Sequence, residues 1–121
     1  MAAIQAVASR PNDNTVRLTW SSVTEADTCA ASSELDGYGD RSIHVSSSAW
    51  GGATIALKGS NEDACANPEP LTDPQAVAIA LSSGSATHVK QITECTHYVQ
   101  PVTTGGTNSS VKITILARRG K

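Results

Sequence analysis

Ser110-Val111-Lys112-Ile113-Thr114-Ile115-Leu116-Ala117 decides the fold class. Val111, Ile113, Ile115 and Ala117 fall at one parity; Lys112, Thr114, Leu116 and Arg118 fall at the other. Side chains of an extended chain point alternately to opposite faces, so this two-residue period predicts a strand with one face in a core. Working outward, residues 15–20 repeat it with Val16, Leu18 and Trp20 inward, and residues 42–46, 53–59 and 96–102 follow. Val77, Ile79 and Leu81 alternate through residues 76–81, and residues 85–91 extend the pattern. No segment carries a convincing 3.6-residue stripe.

Short strands at these spacings predict an all-β chain: a single-domain antiparallel β-sandwich, jelly-roll-like. Gly51-Gly52, and Gly105-Gly106 within residues 103–109, read as hairpin links, because glycine supplies the positive φ of tight connections. Residues 1–14, Ala-rich and then turn-like at Pro11-Asn12-Asp13-Asn14, read as an extended N-terminal arm, and residues 15–121 as the sandwich domain. Residues 21–40 have no period and read as an unusually long loop.

The 121 residues contain no Phe and only Trp20, Trp50, Tyr38 and Tyr98 as aromatics, so the core must be Val, Ile, Leu and Ala. The net charge of −2 is too small to argue for nucleic acid, and no direct nucleic-acid partner is expected, yet the charge is unevenly distributed. Residues 25–73 hold nine acids against Arg41 and Lys58; residues 74–121 hold five bases against Glu94. No apolar run approaches the ~18 residues that a membrane helix needs. The N-terminus lacks the charged start of a secretory signal, and Cys29, Cys65 and Cys95 are odd in number and widely spaced. Together these features predict reduced thiols in a protein made in a cytoplasm.

Chemistry is sparse. Cys95-Thr96-His97 is the closest pair of possible metal ligands, and no second pair accompanies it. No G-x-S-x-G elbow, phosphate loop or G-x-G-x-x-G is present. Asp36, Asp40, Asp63 and Asp73 sit in turn-rich segments where aspartate favours local backbone bonds. The expectation is a non-enzymatic chain with no catalytic residue, no cofactor and no metal. Tyr38 and Trp50, aromatics on glycine-flanked loops, are instead candidate contact anchors.

Residues 39–45 (Gly39-Asp40-Arg41-Ser42-Ile43-His44-Val45) and 51–61 resemble small structural proteins of tailed-phage head-gene regions. So do Leu71-Thr72-Asp73-Pro74-Gln75, Tyr98-Val99-Gln100-Pro101-Val102 with Gly105-Gly106, and the final Leu116-Ala117-Arg118-Arg119. The Cys- and acid-bearing insertion around residues 62–70 departs from that pattern. The resemblance implies a tailed-bacteriophage capsid decoration (cement) protein. Its partner would be the major capsid protein, its location the outer capsid surface of the virion, and its state a homodimer. The contacts it implies fall on Ile4, Val7 and Arg10 of the arm and on Tyr38, Arg41 and Trp50. The alternatives are a carbohydrate-binding or adhesin-like sandwich and a phage tail or neck component.

Overall fold

The 110–117 alternation lies at the centre of a five-stranded sheet. The computed structural model describes residues 3–119; Met1, Ala2, Gly120 and Lys121, the ends of the expected arm and basic tail, lie outside the described residues. Its strands are β1 (Ala3–Ile4), β2 (Val7–Asn12), β3 (Thr15–Val23), β4 (Thr28–Cys29), β5 (Asp40–Ala49) and β6 (Thr54–Ser60). They continue with β7 (Glu69–Pro70), β8 (Ala80–Leu81), β9 (Val89–Ile92), β10 (Tyr98–Thr104) and β11 (Ser110–Arg118).

One sheet has the order β2-β3-β11-β5-β9, antiparallel throughout. In the other, β6 pairs β10 on one edge, while β7 and β8 share its second edge. Ser32 bridges Val99 of β10 and so supplies a rudimentary outer strand there. A short parallel ribbon of β1 and β4 stands beside them; β5 to β6, β8 to β9, β9 to β10 and β10 to β11 each cross between the two large sheets, as in the winding of a jelly roll. The predicted antiparallel sandwich is therefore the observed fold.

The inward faces meet in one cluster that includes Val16, Leu18, Trp20, Ile43, Val45, Ile55, Leu57, Leu81, Val99, Ile113 and Ile115. Trp20 is fully buried and its indole N–H donates to the Ala30 carbonyl at 3.1 Å, satisfying its one polar atom. The accessible surface is 6306 Å², close to the roughly 6,200 Å² that size scaling gives a folded chain of this length. The residues of the cluster are buried by the chain's own two sheets.

Three local expectations change. Residues 7–12 are a paired strand, β2 against β3, although every side chain of β2 is exposed. The segment is arm-like in its solvation and sheet-like in its backbone. The glycine links 51–52 and 105–106 are corners between the two sheets, not hairpins: β5 pairs β11, and β6 pairs β10. The corners touch, with Thr107 N–H donating to Gly51 O at 2.8 Å. A Cβ on Gly51 (φ 59°) would lie 2.2 Å from Thr107 O, so only glycine fits. Lastly, strand geometry in residues 76–81 is confined to Ala80–Leu81; Ala76 has φ 64° and Val77 is exposed.

Residues of opposite parity in β11 should respond unequally to truncation. Ile115→Ala should lower the unfolding free energy by about 2–5 kcal/mol in urea titrations, and Lys112→Ala should stay within about 0.5 kcal/mol. Equal losses would contradict the alternation.

Candidate interaction surface

Outward residues of the five-stranded sheet form a broad face. Cross-strand register aligns Val7, Thr19, Thr114, His44 and Val89 in one row, and Ser9, Arg17, Leu116, Ser42 and Gln91 in the next. A third row places Arg118 opposite Asp40. Val7 is 69% exposed at one margin and Val89 47% at the other. The face is not flat: a depression of about 240 Å³ lined by Arg17, Ser42, His44, Val89, Thr114 and Leu116 leads to one between Asp40 and Arg118. That in turn opens into a third, about 480 Å³, bounded by Gly37, Gly39, Asp40, Arg118 and Arg119.

Two serine-rich bulges shape this face. Val23 and Trp20 oppose Val111 and Ile113, so β3 carries an extra residue, and Ser22 adopts φ 55°. On the other side of β11, Ala49 and Ser46 oppose Ser110 and Lys112, giving β5 its own extra residue. Ser47 Oγ donates to Ser110 O and accepts from Ala49 N–H, fixing that bulge. Two bulges at one level of the central strand increase the local twist.

The opposite outer face, over β6 and β10, is narrower. Its groove of about 220 Å³ runs between Cys29, Pro68 and Gln100, and the Gln100 side chain donates to Cys29 O at 2.9 Å.

The six anticipated contact residues do not converge on one patch. Arg41 is 2% exposed, and its guanidinium donates to the carbonyls of Tyr38, Leu35 and Thr96 at 2.8–2.9 Å. Burial lowers its pKa, with Cys95 and Asp36 opposing that shift. Tyr38 is 8% exposed and belongs to the core cluster. Both residues pin the 30–40 segment instead of offering a surface. Arg10 lies near this end, 3.3 Å from Glu34, and Arg119 packs 5.2 Å over the Tyr38 ring. Trp50, at the far end of β5, is partly buried and tilted against His88 at 4.8 Å. Ile4 packs partly against the core, whereas Val7 stands on the open face.

Acids hold the loops. Glu25 accepts from Ser109 Oγ and N–H at 2.7 and 2.8 Å, tying residues 24–27 to the 105–109 corner. Those bonds push its pKa down from 4.5 to about 2. Asp73 accepts from the N–H groups of Gln75 and Val77 and from Lys90, and Glu94 accepts from the Thr72 hydroxyl and N–H. The pKa of each is lowered, chiefly by the Val77 N–H for Asp73 and by the Thr72 hydroxyl for Glu94. Cys95 and His97 part company: Cys95 Sγ bonds to Gly39 O, and His97 Nδ1 faces Asp36. All three cysteines are free, and burial raises the pKa of Cys29 to about 11.

No protein-family profile matches the chain, and no curated protein sequence does. Its fold is similar to the crystal structure of the SPBc2 prophage-derived protein YomS. The TM-score is 0.58 at 10% identity, covering 90% of this chain and 98% of that one. The likeness is one of fold. No described helix is long and apolar enough to cross a membrane.

Arg41→Gln should cost about 3 kcal/mol or more in denaturant melts, because it leaves buried carbonyls short of charged donors; Arg17→Gln should cost under about 0.5 kcal/mol. The Glu25 contribution has a defined pH window. Its folded pKa is depressed, so its stabilisation is full above pH 4.5 and disappears as pH falls to about 2. Acid melts of wild type and Glu25→Gln should therefore converge across that interval; a gap that persists below it would assign the difference to another group.

Proposed function

We propose that this chain is a virion structural protein, a decoration protein seated on the outside of a phage capsid and bracing adjacent major capsid subunits. The observation that carries the reading is the fold shared with a prophage-derived protein across nearly the whole of both chains. Fold alone does not fix function, but two further features support a passive, contact-making role. A wide sheet face stands uncovered, with Val7 and Val89 exposed at its margins. In addition, β2 leaves its outer edge unpaired among the described residues.

The physical logic is that of a brace. A packed shell is weakest at the joints between its subunits, and a rigid sandwich lying across a joint adds buried area on both sides. Many copies make a small free energy per copy decisive. Self-pairing of two chains about a two-fold axis, with the open edge of β2 as the meeting line, lets one kind of module bridge two identical neighbours. Pro11 and the bulge between Ser9 and Asn12 confine that meeting line to the first half of β2. The reading requires no catalysis, cofactor or nucleic acid.

Electron microscopy of purified particles tests it. The expected result is density for this chain over the outer shell, in a number that scales with the capsid subunits. Particles lacking the chain would refute the assignment, and a single ring at the portal would assign it to the neck.

A further inference from the structure

The charge on the uncovered sheet face is opposite in sign to that of the whole molecule. Arg17, Lys112 and Arg118 project from the strands of that face, all exposed, with Asp40 as the one acid among its rows. The chain as a whole carries −2. Among the described residues, none of these three cations lies within salt-bridge distance of a carboxylate; Asp73 and Glu34 are met instead by Lys90 and Arg10, and Asp36 by the His97 ring. Arg118 and Asp40 are register partners and still do not pair.

We propose that the outer face of the β2-β3-β11-β5-β9 sheet is the surface by which this chain docks on an acidic protein partner. The proposal deepens the decoration reading and rests on it for the partner's whereabouts, an acidic patch on the shell. Three observations converge. The cations are unpaired and their backbone is held on paired strands, so binding a carboxylate orders side chains and no backbone. Their setting is mixed in the manner of protein contacts, with Leu116 between Arg17 and Ser42 and the exposed valines at the margins. The size is of the right order: strands of 6, 9, 9, 10 and 4 residues, about 4.8 Å apart at about 3.3 Å per residue, give a face on the order of 600 Å², about three-quarters of the roughly 800 Å² per partner of a standard interface. No Phe, Tyr or Trp, the side chains on which nucleic-acid bases stack most extensively, stands in these rows. A carboxylate-rich protein surface is the occupant that the chemistry favours.

The test uses the full chain, a labelled deca-glutamate peptide, a labelled random-sequence DNA duplex and fluorescence anisotropy. Wild type should bind the peptide, and binding should weaken as salt rises from about 50 to about 300 mM. The triple variant Arg17→Gln/Lys112→Gln/Arg118→Gln should lose about tenfold or more in affinity, while Lys58→Gln, on the other sheet, should stay within about twofold. The three side chains point to solvent, and a far-ultraviolet spectrum matching wild type verifies the fold. The double variant Arg17→Gln/Lys112→Gln should show an intermediate loss, which gives a second reading should the triple variant misfold. No peptide binding by wild type, equal binding by the variants, or tighter binding of DNA than of peptide would each overturn the proposal. Particle occupancy of wild type is a separate measurement, so failure of the docking face and failure of the decoration reading are told apart.

Discussion

Pairing of β11 along both of its edges is the constraint from which the sandwich follows. A central strand is paired along both edges, so its side-chain parity cannot slip without carrying β3 and β5 with it. That parity buries Val111, Ile113, Ile115 and Ala117. It obliges the neighbours to bury Leu18, Trp20, Ile43 and Val45 at the same depth. Both neighbours bulge beside the same point of β11, where the sheet turns toward the glycine corners. There Gly51 and Gly106 pass so close to the opposite corner that a Cβ on Gly51 would strike the Thr107 carbonyl and one on Gly106 the Ala53 Cβ. The strand that decides the fold class therefore also fixes where the chain can change sheets.

Strand parity was legible in the sequence because it depends on adjacent residues alone. Partner choice was not. A glycine pair between two alternating runs is compatible with a hairpin or with a corner between sheets, and only the burial of both inner faces selects the corner. Likewise, the alternation of Val77, Ile79 and Leu81 looked like one strand, but the Asp73 carboxylate captures the N–H groups of Gln75 and Val77 and bends the chain before it extends. The long aperiodic segment at residues 21–40 concealed a tether. Leu35 and Tyr38 carry no periodic signal, and the guanidinium that gathers their carbonyls comes from Arg41, whose polarity suggested a surface site.

Arg41 shows why residue type misleads at such positions. A buried guanidinium is costly unless its donors are met. Here the carbonyls of Leu35 and Tyr38, in the irregular segment, and of Thr96, ahead of β10, meet them. The loop needs donors and the cation needs acceptors, so each offsets the desolvation of the other. The open sheet face was hidden for a different reason. Arg17, Ser42, His44, Thr114 and Leu116 are far apart in sequence and become neighbours only through the register of β3, β11 and β5.

The uneven charge along the chain acquires its meaning from the same geometry. Of the nine acids in residues 25–73, Glu25, Asp27, Glu34, Asp36, Glu62 and Asp73 have side-chain partners within the chain. Their role lies inside the molecule: Glu25, Asp27 and Asp73 accept backbone N–H groups in turns and loop ties, while Glu34, Asp36 and Glu62 meet the side chains of Arg10, His97 and Asn67. The bases of β3 and β11 have no such duty, because a strand interior leaves no backbone group for them to serve. Outward-facing cations on paired strands are therefore free to act on what lies beyond the molecule, whereas the acids are largely occupied within it. A chain that is acidic in sum can in this way present a basic face.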